Sequence, residues 1–357
     1  MVRRQQVSKR KPIAIERTRP PSINLNARIV AERFRLDQLV SQTVNGEVHQ
    51  AFDLKTNSVV AVKLLKSRFM AGDNFGVRLK REFEVLQAID HPAVVKVIDC
   101  GEASDRELYL AMEFIKGATL ENIVKRNGPI KPNKLALVIS QLAGALDTAH
   151  AIGVVHRDVN PANILVHLEP DGTTAVKLLD FGLAKLLEPD ESQQMNVTGA
   201  AMIVGRAEYM APEQAGGEVV GPATDVYALG LTMYFALTGK APFSESSEIE
   251  TLMAQLKKPV PPMNAVNPKA AVSPALEETV KKALSKREAD RYESAGEFAI
   301  EFCQAAGAPA PVMSGGGIVE RKLKRKKPSK WKTIVGSVAS VAAIALIAGF
   351  LLMQLKS

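Results

Sequence analysis

Two apolar runs, at 59–65 and 108–112, lie in the first third of the chain, and the first of them is rich in β-branched residues. Runs of this length and composition predict buried strands. Between them, three apolar residues recur at helical spacing: Leu79, Phe83 and Leu86. This spacing predicts one helix, with Glu82 on the same face. The first part of the chain is therefore predicted to consist mainly of strands.

After Gly117 the apolar period changes from that of strands to that of helices. The first predicted helix is marked by Leu135, Val138, Ile139, Leu142, Leu146 and Ala149. The second is marked by Val226, Leu229, Met233, Ala236 and Leu237. Short apolar runs at 164–166 and 176–179 predict two more strands between these helices. The pattern predicts an α+β fold, in which a small β-rich lobe precedes a larger helical lobe and a ligand cleft lies between them.

The far end of the chain has a different hydrophobic pattern. Residues 333–355 form a run of 23 residues without a charge, rich in Val, Ala, Ile and Leu. A helix of that length spans the roughly 30 Å hydrocarbon core of a bilayer, so a transmembrane helix is predicted. The alternative is a buried core helix beside a solvated basic segment. Small residues spaced four apart could also pack two such spans into a homodimer: Gly336/Ser340 and Ala345/Gly349.

Basic residues and a tryptophan flank this run and orient it. Residues 321–327 hold six Lys or Arg, and Lys330, Trp331 and Lys332 follow at the boundary. Positive flanks stay on the cytoplasmic side, and a tryptophan suits the headgroup layer. The N-terminus has basic residues but no apolar segment after them, so no signal peptide is predicted. We therefore expect a single-pass membrane protein whose bulk lies in the cytoplasm.

The net charge of +8 is concentrated at the two ends of the chain. Residues 1–20 carry +6, residues 318–332 carry +7 and Lys356 adds one, which leaves −6 on the remainder. An acidic globular part does not favour nucleic acid as a partner. The two cysteines, Cys100 and Cys303, are too few for a disulfide framework or a zinc site, which favours a reducing compartment.

Together with the predicted span at 333–355, these patterns divide the chain of 357 residues into four parts. Residues 1–28 are basic, contain proline and lack a hydrophobic period, which predicts a disordered tail. Residues 29–303 are predicted to form one compact unit, with the β-rich lobe at about 29–115 and the helical lobe at about 116–303. Residues 304–332 combine a linker rich in Gly, Ala and Pro with the basic segment that precedes the span.

The polar residues that carry chemistry cluster at 156–163, which reads His-Arg-Asp-Val-Asn-Pro-Ala-Asn. Seventeen residues after Asn163 comes Asp180, followed by Phe-Gly. An acid two residues after a histidine, an asparagine five further on and a second acid before Phe-Gly form the spacing of a phosphoryl-transfer centre. Asp158 can orient a substrate hydroxyl and accept its proton. Asn163 and Asp180 offer the oxygen ligands that Mg²⁺ prefers.

With these motifs, residues 30–303 resemble the eukaryotic-like serine/threonine protein kinases of bacteria. The resemblance implies a two-lobed protein kinase fold, with ATP and Mg²⁺ as cofactors and protein hydroxyls as acceptors, including those of the chain itself. Nothing at 158–163 resembles the arginine-bearing loop of tyrosine kinases. The resemblance also makes His156 a packing and hydrogen-bonding residue, and Arg157 a cation that could pair with a phosphate on the activation segment.

The nucleotide side of the site follows from the same resemblance. Lys63, in Val-Ala-Val-Lys, is similar to the strand lysine that holds the phosphates, and Glu82 stands where its carboxylate partner is expected. Met112 resembles the residue that guards the back of the cleft, and the three residues after it resemble the hinge that binds adenine. Residues implied to line the nucleotide are Gly46, Val48, Ala61, Met112, Glu113 and Ile115.

Several downstream residues resemble the structural framework of the family. Glu213, in Tyr-Met-Ala-Pro-Glu at 209–213, is expected to pair with Arg291. Asp225 is expected to tie the catalytic loop to the helical lobe. Two hydroxyls within the activation segment could be phosphorylated or could be unmodified polar loop residues: Thr198 and Ser192.

The glycine loop departs from the family pattern. Aligning Val48 with the family valine puts Ser41, Thr43 and Gly46 at the three glycine positions, so one glycine of the three remains. Side chains at 41 and 43 restrict the approach of the backbone to phosphates, which predicts weaker nucleotide affinity or turnover.

Asn160 and Arg206 are the other two departures, because the resemblance predicts Lys and Thr at these positions. Losing the lysine would cost on the order of 3 kcal/mol of transition-state stabilisation, by analogy with single oxyanion donors. One hypothesis is that Arg206 reaches back toward Asp158 and restores the missing charge, so that both residues belong to the catalytic machinery. The alternative is that Arg206 points to solvent and the site is weakened.

Two functions of different classes remain open. The first is a membrane-anchored, magnesium-dependent serine/threonine protein kinase, which the presence of Lys63, Glu82, Asp158, Asn163 and Asp180 favours. The second is a pseudokinase, a binding or scaffold module with the same fold and little turnover, which the poor glycine loop and Asn160 favour. Phosphate incorporation in the presence of Mg²⁺ and ATP discriminates between them.

Overall fold

The computed structural model describes residues 28–43, 46–65, 83–103, 107–181 and 206–309. Several predictions concern residues outside these ranges: Glu82, Ser192, Thr198, the tail 1–27, the segment 310–332 and the span 333–355. These stay predictions.

Six strands form the sheet of the first lobe. They are β1 (Ile29–Val30), β2 (Phe34–Thr43), β3 (Gly46–Asp53), β4 (Ser58–Leu65), β5 (Val97–Glu102) and β6 (Leu108–Glu113). Neighbouring strands are antiparallel, in the spatial order β1-β2-β3-β4-β6-β5 among the residues described. The two strands predicted from apolar runs, now β4 and β6, lie side by side in the middle, where burial on both faces suits a continuous apolar run.

The helix predicted around residues 79–86 is described only in part, since residues 83–87 are helical and 66–82 lie outside the described ranges. Leu86 of this segment is buried, and Phe83 packs against the β-lobe core.

The second lobe is mainly helical. Its helices are α1 (Leu120–Asn127), α2 (Pro132–Ala151), α3 (Pro212–Gly216), α4 (Pro222–Thr238), α5 (Glu248–Lys257), α6 (Met263–Val266), α7 (Pro274–Ala283) and α8 (Ala295–Ala305). The two predicted long helices are confirmed as α2 and α4. Both begin with proline, whose fixed φ and missing N–H suit a first helical position. Helix α4 is buried along almost its whole length, so it forms the centre of this lobe.

In the described part of the chain, a second, smaller antiparallel sheet has three strands. It consists of β7 (Ala118–Thr119), β8 (Ile164–Leu168) and β9 (Thr174–Leu178), and the latter two confirm the predicted strands. Val94 forms a parallel bridge with Leu178 of β9. Backbone pairing therefore joins the segment after the partly described helix to the strand that leads to Asp180.

The predicted α+β architecture, a β-rich lobe followed by a helical lobe, is confirmed. None of the helices within the described ranges is long and apolar enough to cross a bilayer. The predicted lobe boundary near 115 falls in the connection between β6 and β7, and the predicted end at 303 falls two residues before the end of α8.

Candidate active site

The loop that carries residues 156–163 connects α2 to β8 and is held in place by Asp225 of α4. The Asp225 carboxylate is fully buried and accepts hydrogen bonds from the backbone N–H groups of His156, at 2.8 Å, and Arg157, at 2.9 Å. His150 Nε2 lies 2.7 Å from the same carboxylate. The expected tie between Asp225 and the loop is thus present. His150 is a partner that the sequence analysis did not identify.

Two non-glycine residues of the site have left-handed backbone conformations. Arg157 has φ 69° and Asp180 has φ 59°. Such φ values are costly for residues with a Cβ and persist only where the surroundings hold them. For Arg157 the restraints are the Asp225 carboxylate on its N–H and Gln214 Nε2, which donates to its carbonyl at 2.8 Å.

Asp158 is oriented by two asparagine side chains. Asn160 Nδ2 donates to Asp158 Oδ1 at 2.8 Å, and Asn163 Nδ2 donates to Oδ2 at 2.8 Å. Both amides also donate to the Asp158 carbonyl, at 3.2 and 3.0 Å. Burial raises the pKa of the Asp158 carboxyl, and this outweighs the lowering by His156 and by the two amides.

Asn160 also begins the short 3₁₀ turn Pro161–Asn163. Its Oδ1 accepts the backbone N–H groups of Ala162, at 3.0 Å, and Asn163, at 3.3 Å. This is the capping role that asparagine fills well, because its short side chain satisfies N–H groups that lack a helical partner. Asn160 is almost fully buried. The site therefore contains a buried neutral amide at the position where the resemblance predicted a lysine.

Asp180 faces Lys63 across the cleft. Lys63 Nζ, on β4, donates to Asp180 Oδ2 at 2.6 Å, and the sequence analysis did not foresee this pair. Phe181 is buried and packs edge-on against His156, with ring centroids 4.4 Å apart, while His156 Nε2 lies 2.8 Å from the Leu179 carbonyl. The predicted packing and hydrogen-bonding role of His156 agrees with these contacts. The expected carboxylate partner of Lys63, Glu82, lies outside the described residues.

Of the other predicted nucleotide-lining residues, Gly46 and Val48 lie on β3, Ala61 on β4 and Met112 and Glu113 on β6, whereas Ile115 follows the end of β6. Ala61 pairs with Met112 across β4 and β6, and Val48 packs against the same apolar cluster. Thr43, the last residue of β2, pairs with Gly46, the first residue of β3. A Cβ at Gly46 would lie 2.0 Å from the Leu64 carbonyl oxygen, so strand packing alone requires glycine there.

The hinge contains an ion pair that the sequence analysis missed. Glu113, the last residue of β6, accepts at Oε1 from Lys177 Nζ at 2.6 Å and from the Lys96 N–H at 2.8 Å. Lys177 lies on β9, three residues before Asp180. The start of the hinge, which continues through Ile115, is therefore coupled to the strand that places Asp180. A lysine on a strand of alternating polar and apolar residues carries no sequence signal that identifies its partner.

Arg206 does not hydrogen-bond to Asp158. Its Nη1 donates to Glu121 Oε1 of α1 at 2.6 Å, and the hydrogen bonds to the Asp158 carboxylate come from the two asparagines instead. Burial lowers the pKa of Arg206, but the hydrogen bond and the charge of Glu121 outweigh this effect and raise it. The charge of Asp158 makes a smaller contribution in the same direction as Glu121. The guanidinium is thus held by Glu121 of α1 and not by the acid.

Glu213 and Arg291 form the expected ion pair. Arg291 Nη1 and Nη2 donate to the two Glu213 oxygens, each at 2.8 Å, and both residues are buried. Thr224 donates to the same carboxylate at 2.8 Å. Burial raises the pKa of Glu213, but its hydrogen bonds and the charge of Arg291 hold it below its usual range. A bidentate, fully hydrogen-bonded pair anchors the end of the activation segment in the helical lobe.

The residues that could hold a cation are Asn163 and Asp180. The described parts of the chain contain no group of three or more His, Cys, Asp or Glu side chains that could hold a metal ion. A hard cation with oxygen ligands would suit one amide and one carboxylate if phosphate and water complete its shell, as is usual for Mg²⁺. Because Asn163 uses its amide nitrogen for Asp158, its amide oxygen is the atom suited to the cation.

A family model described as "protein kinase domain" matches residues 34–302. The serine/threonine-protein kinase pkn3 of Myxococcus xanthus is 34% identical over 273 residues, 76% of this chain and 50% of that protein. PknB of Mycolicibacterium smegmatis is 36% identical over 286 residues, 79% of this chain and 44% of that protein. PknA of Mycobacterium tuberculosis is 38% identical over 271 residues, 75% of this chain and 60% of that protein. The chain spans about half the length of the curated relatives it matches.

Solved structures show the same likeness. A crystal structure of the Mycobacterium tuberculosis PknI kinase domain matches with a TM-score of 0.61 and 29% identity, covering 79% of this chain and 98% of that chain. Rad53 in complex with AMP-PNP matches with a TM-score of 0.60 and 26% identity, over 75% of this chain and 64% of that chain.

Proposed function

The chain belongs to the protein kinase family, with a domain of the bacterial serine/threonine type, and from this premise we propose that it transfers the γ-phosphoryl group of ATP to protein serine or threonine hydroxyls. One observation supports this most directly. Asp158, Asn163 and Asp180 come together with Lys63 at the joint of the two lobes, although the sequence separates Lys63 from Asp180 by 117 residues.

Each of these residues has a role that its contacts support. Asp158 receives both amides on its carboxylate and would orient the acceptor hydroxyl and take its proton. Lys63 would pair with nucleotide phosphates, and Asn163 and Asp180 would supply oxygen ligands to Mg²⁺. Bound Mg²⁺ would neutralise the negative charge of the phosphates. The family uses ATP and Mg²⁺ in general, and the oxygen donors present here suit that pair.

A second candidate function is that of a binding or scaffold module with little turnover. Asn160 is the observation that favours it, because its amide is committed to the loop and supplies no positive charge to a transferring phosphoryl group. By analogy with oxyanion donors, the missing charge costs on the order of 3 kcal/mol of transition-state stabilisation. The cost lowers the rate but leaves nucleotide binding in place.

The decisive experiment measures phosphate incorporation into a protein acceptor with Mg²⁺ and labelled ATP. We expect Asp158→Asn to lose about 10²-fold or more of the wild-type rate, since general-base assistance is worth roughly that much. Asp171→Asn, an exposed aspartate in the β8–β9 turn, is the matched control and should retain the rate. A wild type that is no faster than Asp158→Asn would favour the scaffold.

We also propose that the chain is tethered to a membrane by residues 333–355, with the kinase domain on the cytoplasmic side. The length and apolarity of this segment and the basic flank at 321–327 support the proposal. Such a tether would limit acceptors to proteins near the membrane, including a second copy of the chain. Small residues within the span are compatible with a homodimer.

A further inference from the structure

Arg206 stands where the family resemblance predicted threonine, and its side chain crosses from one element to another. It lies just before the 3₁₀ turn Ala207–Tyr209, whereas its partner Glu121 lies 85 positions earlier, in the first turn of α1. The Arg206 side chain is 44% exposed and the Glu121 side chain 16% exposed. The Glu121 end of the pair is thus largely buried, whereas the Arg206 end is exposed to solvent.

The Glu121 end of the pair is rigidly placed. Helix α1 begins directly after Thr119, which pairs with Leu165 in the small sheet and caps the helix by accepting the Asn122 N–H at 3.1 Å. The helix also packs against the 161–163 turn of the catalytic loop. Burial alone would raise the pKa of Glu121, but the hydrogen bonds from Arg206 and Lys125 lower it, so the carboxylate stays charged.

The backbone that follows Arg206 is equally fixed. Gln255 of α5 donates to the carbonyls of Ala207, at 3.3 Å, and Glu208, at 3.0 Å. Tyr209 is buried and packs edge-on against Phe235 of α4, with ring centroids 6.3 Å apart. The ion pair therefore joins two anchored elements, α1 and the turn Ala207–Tyr209.

We propose that Glu121 and Arg206 are positioning residues for the protein acceptor, because their ion pair bridges α1, which packs against the catalytic loop, and the end of the activation segment. The proposal rests on the kinase function proposed above and adds the residues that control access of the acceptor. A polypeptide whose hydroxyl reaches Asp158 must pass near the elements that flank this acid. The family threonine is too short to span the same distance to α1.

Steady-state kinetics of the full chain with casein as acceptor, at saturating Mg²⁺ and ATP, test the proposal. The variants are Glu121→Gln, Arg206→Gln and the double substitution. We expect each to raise the KM for casein about fivefold with little change in kcat, and the double variant to be no worse than either single one, because both remove the same interaction. Arg206→Lys, which keeps the charge, should recover most of the loss.

Lys125→Gln is the matched control. Lys125 bonds to the same Glu121 oxygen at 3.0 Å, but it lies on the same helix and is 63% exposed, so its loss leaves the link between elements in place. We expect its KM for casein to equal that of the wild type. The affinity for Mg²⁺–ADP, measured by calorimetry, should be the same in all of these variants, since the pair acts on the acceptor.

Three results would overturn the inference. The first is a double variant whose loss is the product of the single losses, which would mean independent roles. The second is a similar loss in Lys125→Gln, and the third is a matching loss of Mg²⁺–ADP affinity. A wild type with no turnover above Asp158→Asn would refute the kinase function and this inference with it, whereas normal turnover with any of the three results would refute the inference alone.

Discussion

At the residue scale, Asn160 shows how a neutral side chain replaces a charged one in the loop. Its amide donates to Asp158 and its oxygen accepts two backbone N–H groups of the following turn. A lysine could donate to the acid but could not accept those N–H groups. The chain thus keeps the geometry of Asp158 while giving up a positive charge beside it.

The pKa of Asp158 leads to a prediction about pH. Burial raises this pKa, and a proton-accepting acid works only when ionised, so activity should fall at low pH from a value above the ordinary aspartate range. Asn160→Lys adds a cation next to the carboxylate, which lowers its pKa. We expect the acidic limb of the kcat/KM profile to move to lower pH in this variant.

The control for this prediction is Thr173→Lys, which adds the same charge at an exposed turn. Its acidic limb should coincide with that of the wild type. If the limb of Asn160→Lys does not move either, another group controls the low-pH loss of activity.

At the scale of elements, the Glu213–Arg291 pair joins α3 to the residues that precede α8. Arg291 also donates to the carbonyls of Ser285, Ala223 and Lys286, at 2.8, 2.9 and 3.1 Å. The guanidinium is therefore almost fully satisfied inside the helical lobe. Removing it would leave the Glu213 carboxylate buried and without its cation.

We predict that Arg291→Ala lowers the free energy of unfolding by about 3–5 kcal/mol, the usual loss when one partner of a buried ion pair is removed. Urea unfolding at pH 7 measures the change. The folded pKa of Glu213 is lowered, so the stabilisation is present above the unfolded pKa and is lost as pH falls through the folded pKa. The difference between wild type and variant should accordingly shrink in acid.

Lys258→Ala is the comparison for that measurement, because Lys258 pairs with Glu245 at 2.6 Å on the surface. Exposed pairs contribute about 0–1 kcal/mol. If the two variants lose the same free energy of unfolding, the buried pair stabilises the fold no more than a surface pair does.

At the scale of the whole molecule, the two lobes are joined by a short connection after β6, and contacts from β9 stabilise it. Glu113 binds Lys177 across the hinge, and Val94 bridges Leu178. The strand that leads to Asp180 is thus tied to the β-rich lobe by both backbone and side chains. Any change in the angle between the lobes must act on these contacts.

The proposed membrane tether yields a prediction for the full chain. Leu346→Arg places a charge near the middle of 333–355, which disfavours insertion by about 3 kcal/mol. We expect the wild type in the membrane fraction of cells and a large part of the variant in the soluble fraction, as shown by fractionation and immunoblotting. Leu346→Ile preserves apolarity and should fractionate like the wild type. A wild type found in the soluble fraction would contradict the tether.

Much of the fold follows from local pattern. The strands around Val62 and Leu110 and the helices around Leu142 and Met233 appear where their apolar periods predict them, since burial of one face or of both dictates that period. The spacing of Asp158, Asn163 and Asp180 likewise indicated the chemistry, because a motif places its residues on one loop or at neighbouring loop ends.

Pairing between distant charged side chains, in contrast, could not be predicted from local sequence pattern. The sequence alone did not reveal that Lys63 meets Asp180, that Lys177 meets Glu113, or that Arg206 meets Glu121. A lysine or arginine carries no periodic signal of its partner, because the long side chain can reach any acid that the fold brings within a few ångströms. The sequence therefore determined the elements, the family motifs and the candidate chemistry. Only the packing of the two lobes decided which charges meet around Asp158, since those contacts depend on three-dimensional proximity and leave no trace in local spacing.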